Sequence, residues 1–254
     1  MPCHIDATRH PNVGVRADVV QKALQRGDAA RTPEQAAVHA ADAYARTSGK
    51  VGVALVTSGP GATNASAGIH IAEHDSVPLI LFVGQIERGM RERGAFQEMN
   101  YKAFFGSTAK WVVEIDDAAR IPETISRAYH IAMQGRPGPV VISLPEDMLL
   151  DHAEVAIPQR IEPVETWPGQ TQMAELQKML WAAKSPIAIL GGGGWSAEAC
   201  RDIKAFAEQN GLPVCASFRN QDLFDNRHPN YVGDLGVGVG PALGKRLKAS
   251  DLII

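Results

Sequence analysis

Thr57-Ser58-Gly59-Pro60-Gly61-Ala62-Thr63-Asn64 decides how this chain is read. It follows the apolar run Val51-Gly52-Val53-Ala54-Leu55-Val56 and precedes a helix-like segment from Ala65 to His74. A strand running into a Gly/Pro turn and then a helix start is how open α/β sheets bring backbone N–H groups to a ligand. Gly59 and Gly61 permit backbone angles and close approaches that a Cβ forbids. Thr63 or Asn64 is placed to cap the following helix. Taken alone, the stretch is a tight strand-to-helix turn.

Working outward, the pattern alternates. Ala36 to Thr47 is rich in helix formers, and Gly49 stops it. Val51 to Thr57, Pro78 to Gly84 and Val140 to Leu144 are continuous apolar runs, the mark of strands buried on both faces of a parallel sheet. Arg88 to Asn100 is charged and irregular, Trp111 to Ile115 a short strand, and Ala118 to Met133 helical. This alternation predicts an α/β fold with a doubly wound parallel sheet, the runs at Val51, Leu79 and Val140 side by side. Asp151 to Gln170 carries Pro158, Pro163 and Pro168 and reads as a linker. A second α/β unit follows: a helix from Met173 to Ala183, a strand Pro186 to Leu190, the glycine run Gly191 to Gly194, and a helix capped by Ser196. The expected domains are an atypical segment 1–33, a first domain 34–150, a linker 151–170 and an incomplete second domain 171–254.

Composition excludes several classes. The chain has 254 residues, 45% hydrophobic and 21% charged, with a net charge of −3. That is ordinary for a soluble globular protein and offers no electrostatic footprint for nucleic acid or an anionic membrane. Its three cysteines, Cys3, Cys200 and Cys215, are dispersed, with neither a disulfide framework nor metal-ligand spacing. A cytoplasmic location is expected. The histidines of the first segment, His4 and His10, stand apart from one another and read as solvated.

The quoted loop, taken with Arg31-Thr32-Pro33-Glu34-Gln35-Ala36-Ala37 upstream, resembles the N-terminal pyrimidine-binding domain of thiamine-diphosphate-dependent enzymes, nearest to the acetolactate synthase group. Phe96-Gln97-Glu98, Lys110-Trp111, Gly135-Arg136-Pro137-Gly138-Pro139 and Leu144-Pro145-Glu146-Asp147 extend the resemblance, which runs from Glu34 to the C-terminus. The second unit resembles the central domain of the same enzymes.

The resemblance implies decarboxylation of a 2-keto acid, pyruvate the expected donor, and ligation to a second keto acid. It implies Glu34 as the catalytic carboxylate, in an apolar pocket that raises its pKa. Its other implications are Gly59, Pro60, Gly61 and Asn64 against the cofactor ring, and Phe96, Gln97 and Lys110 on the substrate side. Taken alone, Glu34 is a helix-start acid stabilised by the dipole, and Lys110 a surface cation beside Trp111. Arg136 is read as bracing a loop.

Thiamine diphosphate is the implied cofactor, with Mg2+ held through a third domain that this chain is expected to lack. Asp234, in Val232-Gly233-Asp234-Leu235-Gly236, is read as a loop residue rather than that domain's metal motif. No metal ligand is assigned. FAD stays open at Gly191 to Gly194, with a structural turn the preferred reading. The implied assembly is a homodimer or homotetramer. The competing readings are an inactive fragment, an interaction module, or a related 2-keto acid decarboxylase.

Overall fold

A computed structural model describes residues 33–159, 162, 164 and 166–254. The readings made for His4 and His10, and all of the segment 1–33 but Pro33, lie outside the described residues. The chain divides into two compact units, Met1–Pro163 and Val164–Ile254.

The first unit is built on four parallel strands in the order β1-β2-β4-β3: β1 Gly52–Val56, β2 Leu79–Gln85, β3 Trp111–Glu114 and β4 Pro139–Pro145. Residues along β2 alternate faces. Leu79, Leu81 and Val83 enter one core with Val38, Ile69 and Phe105, while Ile80 enters another with Val140, Ile142 and Met148. Side chains in a strand alternate by two, so a run apolar at every position inside the sheet is buried on both sides. The expectation of two-sided burial is corrected for the run at Val51: β1 ends the strand order among the described residues and leaves Val53 and Leu55 exposed. The helices supply the two cover layers. Helices α1, Glu34–Ser48, and α2, Pro60–His74, bury Val38, Ala41, Ala45, Ala65 and Ile69 on the first face. After the short helix α3, Tyr101–Phe105, helix α4, Ile121–Met133, buries Ala128 and Ala132 on the second.

Helix boundaries follow local chemistry. Helix α1 ends at Gly49, in the left-handed region at φ 67°, whose N–H bonds the carbonyl of Ala45. Pro33 stands at the N-cap, and its carbonyl accepts from Ala36 and Ala37. One expectation is corrected. Helix α2 begins at Pro60, not Ala65, so most of the Gly-Pro-Gly-Ala-Thr-Asn stretch is the helix's own first turn, and neither Thr63 nor Asn64 caps it. Proline suits the first helical position because its missing N–H would have no partner there.

The second unit repeats the plan with strands in the order β7-β6-β5-β8: β5 Pro186–Leu190, β6 Val214–Ser217, β7 Tyr231–Leu235 and β8 Leu252–Ile253, all parallel. Helices α5 Gln170–Ala182, α6 Ala197–Asn210 and α7 Pro241–Ala249 complete it. Ser196 caps α6 by accepting from the N–H of Ala199, as its position predicted. Asp234 is corrected from loop to strand, since it lies within β7. Among the described residues no helix is long and apolar enough to cross a membrane.

Candidate functional site

Parallel strands carry their loops to one common edge. At the C-terminal edge of the first sheet lie Thr57 to Gly61 after β1, the end of β2 at Gly84 and Gln85, and the end of β3 at Glu114. Glu34 opens α1 at this edge. The Asn64 side-chain amide donates to Glu34 Oε2 at 3.0 Å, tying the first residue of α1 to the early turns of α2. A Cβ on Gly61 would stand 2.6 Å from Thr57 Cγ2 and 3.6 Å from Glu34 Cγ, so the bare glycine makes this closeness possible.

The Glu34 carboxylate is accessible, not sunk in an apolar pocket. Its own backbone N–H, then the Asn64 amide, hold its carboxyl below the usual carboxylate range. The expectation of a raised pKa is therefore corrected for this chain. Burial would raise it, but here the helix N-terminus and a hydrogen bond stabilise the charged form.

Gly59 has φ 52° and ψ −104°, a conformation closed to side chains with a Cβ. A Cβ there would also stand 3.0 Å from the Cα, Cβ and carbonyl oxygen of Gln97. Gln97 itself is in the left-handed region at φ 66°, and its Oε1 accepts from the Ser58 hydroxyl at 2.7 Å. The buried Tyr101 completes the seat: its hydroxyl accepts from the Gly59 N–H at 3.0 Å and donates to the Gly84 carbonyl at 2.9 Å. Phe96 is 88% exposed next to Gln97.

Behind this loop, Glu114 accepts from Gln85 at 3.1 Å and from Ser143 at 2.8 Å, and its other oxygen pairs with Arg91 at 2.7 Å. These groups line a polar cavity of about 300 Å³. Ser58, Gln85, Tyr101 and Glu114 were not singled out from the sequence. Gln85 and Glu114 end strands and Tyr101 opens a short helix, where no periodicity or motif marks them, and Ser58 stands inside the quoted loop without a role of its own.

Lys110 is elsewhere. It precedes β3, so it lies at the N-terminal edge of the sheet, away from Glu34. Its ammonium donates to the carbonyls of Ile131 at 2.5 Å and Gln134 at 2.7 Å, at the end of α4. Burial pushes its pKa down. The structure brings Glu34, Gly59, Pro60, Gly61, Asn64, Phe96 and Gln97 to one edge and leaves Lys110 at the other. Arg136 braces a loop as read: it donates to Ser76 Oγ at 2.8 Å and to the Glu73 and His74 carbonyls at 3.0 Å.

Thiamine diphosphate fits this edge in its pyrimidine half. A carboxylate beside a surface free of bulk suits a nitrogen heterocycle, and Glu34 stands beside Gly59-Pro60-Gly61 in that way. Among the described residues, no cluster of three or more His, Cys, Asp or Glu side chains is placed to hold a metal ion.

Residues 30–104 match the family model described as thiamine pyrophosphate enzyme, N-terminal TPP binding domain, and residues 173–254 match thiamine pyrophosphate enzyme, central domain. The acetolactate synthase large subunit of Corynebacterium glutamicum is 36% identical over 227 residues, covering 87% of this chain and 36% of that protein. Its Haemophilus influenzae counterpart is 38% identical over 229 residues, covering 87% of this chain and 40% of that protein. The chain thus spans about two fifths of the length of the curated relatives it matches.

Among solved structures, benzoylformate decarboxylase from Polynucleobacter necessarius superposes with a TM-score of 0.78 at 29% identity, covering 87% of this chain and 42% of that one. The thiamine diphosphate-dependent 4-hydroxybenzoylformate decarboxylase of Rhodococcus jostii gives 0.76 at 26% identity, with the same two coverages. With both domain models matched in order and these relatives along 87% of its length, this chain belongs to the thiamine-diphosphate-dependent enzyme family.

Proposed function

We propose that the first unit binds the pyrimidine ring of thiamine diphosphate for an enzyme of the acetolactate synthase type, which decarboxylates a 2-keto acid, pyruvate as donor, and ligates the product to a second keto acid. The observation that carries this reading is the Glu34–Asn64 pair set beside the Gly59-Pro60-Gly61 surface, with Gln97 locked against the same loop. When bound, thiamine diphosphate supplies the nucleophilic carbon that attacks a keto carbonyl. The chain's residues supply binding, orientation and proton handling.

Asn64 fixes one oxygen of the Glu34 carboxylate, which is then set to hold a proton at the pyrimidine ring nitrogen and exchange it. In the open protomer the carboxylate is ionised. Covering this edge removes water and raises its pKa toward the range where proton sharing is efficient. Gln97 accepts from Ser58 through Oε1, which leaves its amide NH2 to donate to a keto-acid carboxylate. Phe96, exposed beside it, offers an apolar wall.

In this reading the diphosphate and Mg2+ are held by residues beyond those described here, and a second subunit covers the Glu34 edge in a homodimer or larger assembly. The setting is cytoplasmic; Cys200 and Cys215 are both free. FAD is not part of the proposal. The polar groups around Gly191 to Gly194 bond one another: Trp195 Nε1 donates to the Gly191 carbonyl and the Asn220 amide to that of Gly192. A second reading, a 2-keto acid decarboxylase without ligation, is favoured by the two decarboxylase folds.

The test is Glu34→Gln in protein supplied with a diphosphate-binding domain, thiamine diphosphate and magnesium. Exchange of the cofactor's C2 proton, read by NMR, should slow by at least the roughly 100-fold typical of a lost general acid–base group. Unaltered exchange removes Glu34 from the chemistry. Product analysis with pyruvate separates ligation from simple decarboxylation.

A further inference from the structure

Between the end of β2 at Gln85 and the start of α3 at Tyr101, the chain has only a single 3-10 turn, Arg88–Met90. A connection of this length on a compact domain needs internal ties to hold one shape. Glu98 provides them. One of its carboxylate oxygens accepts from the Glu92 N–H and the other from the Ala95 N–H at 3.1 Å, while the Glu98 N–H donates back to the Ala95 carbonyl at 3.1 Å. The segment so closed has a left-handed, non-glycine residue near each end, Glu92 at φ 63° and Gln97 at φ 66°. Such conformations persist only where the surroundings over-determine them.

The second of these residues carries the contact that matters. Gln97 stands against Gly59 so closely that a Cβ there would lie 3.0 Å from its backbone, and it holds the Ser58 hydroxyl at 2.7 Å. We propose that Glu98 is a positioning residue: by gathering the Glu92 and Ala95 N–H groups it keeps Gln97 left-handed and so fixes Ser58 and Gly59, the turn into α2. Its importance for catalysis rests on the reading of that turn as the cofactor's seat, but the geometric claim does not. The carboxylate is needed because both oxygens must accept. In Glu98→Gln one oxygen becomes an NH2 donor facing an N–H donor.

Residue-resolved hydrogen exchange on the full chain without cofactor tests this, so the result stands whatever the fate of the functional proposal. In Glu98→Gln, the Glu92 and Ala95 amides should exchange at least about tenfold faster, the order expected for a lost charge-assisted bond, and the Gly59 amide should lose protection with them. Amides of β2 and β4 should be unchanged. Glu98→Asp, which keeps two charged oxygens, should return Gly59 toward wild type. Glu92→Gly combined with Glu98→Gln should also restore it in part, because glycine adopts the left-handed region without penalty. Unchanged Gly59 exchange in Glu98→Gln overturns the proposal, even if residues 92 and 95 loosen. Lost protection throughout β2 and β4 overturns it too, because Glu98 would then be holding the fold rather than the loop.

Discussion

The two edges of the first sheet carry different polar side chains and use them in opposite ways. At the N-terminal edge the cations are spent on the scaffold. Lys110 donates to two carbonyls at the end of α4, and Arg136 to two carbonyls at the end of α2 and to Ser76. Both satisfy helix C-termini whose last carbonyls have no partner within the helix. At the C-terminal edge, Glu34 keeps an accessible carboxylate and Gln97 an amide NH2, while the internal work falls to residues behind them: Tyr101, Glu98 and Glu114. A lysine beside a family motif and a glutamate within one look equally promising in a sequence. What separates them is which edge the strand direction assigns them to, and whether their hydrogen bonds are already used.

The largest effect expected on stability comes from the group hidden behind the C-terminal edge. Tyr101 is 3% exposed and joins the Gly59 N–H to the Gly84 carbonyl. Tyr101→Phe keeps the ring and orphans both groups. Leaving buried partners unsatisfied costs roughly 2–3 kcal/mol in all, to be read from urea denaturation. A loss near zero would mean water reaches the Gly59 turn, and the seat would then be less rigid than its hydrogen bonds suggest.

A smaller effect is expected at the opposite edge. Lys110→Met keeps the aliphatic stem and removes the ammonium from the Ile131 and Gln134 carbonyls. The lysine is exposed, so solvent replaces much of what is lost, and the cost should be about 1 kcal/mol. Exchange of the cofactor's C2 proton should be untouched. A variant that keeps full stability but loses keto-acid turnover would break the comparison between the edges and return Lys110 to the substrate side.

The sequence displays this architecture well and the site only in outline. The runs at Leu79 and Val140 announce parallel strands because burial on both faces leaves no polar position to interrupt them; the run at Val51 is a parallel strand too, but it leaves Val53 and Leu55 exposed, which its apolar sequence does not show. The motif around Glu34, Gly59 and Asn64 marks the edge because the close approach of Gln97 and Thr57 demands glycine at 59 and 61, and Asn64 donates to the Glu34 carboxylate. Three things were not legible. The start of α2 at Pro60 was hidden because a Gly-Pro-Gly string looks like a loop, although proline is well suited to a first helical turn. The environment of Glu34 was misjudged because burial depends on what covers an edge, which no local pattern encodes. Tyr101 and Glu98 act through bonds formed only once Arg88 to Asn100 has folded, and spacing gives no sign of them.

The smallest expected effect bears on Glu34 itself. Its carboxyl is held below the ordinary range by its backbone N–H and by Asn64, so folding favours the ionised form. A carboxylate with a depressed folded pKa contributes stability that is present above its unfolded value, about 4.3, and is lost as pH falls through the folded value. Glu34→Gln should therefore shift the urea midpoint slightly downward at pH 7, and the shift should fade on acidification below that range. The same substitution is expected to slow C2 exchange steeply in cofactor-loaded protein, so one side chain would read as minor for the fold and major for the chemistry. If Glu34→Gln instead raises the midpoint at pH 7, the carboxylate is strained in the uncovered chain. Its hydrogen bonds would then fail to offset repulsion from the site, and the contrast between an edge spent on structure and an edge kept for a ligand would rest on strain rather than on accessibility.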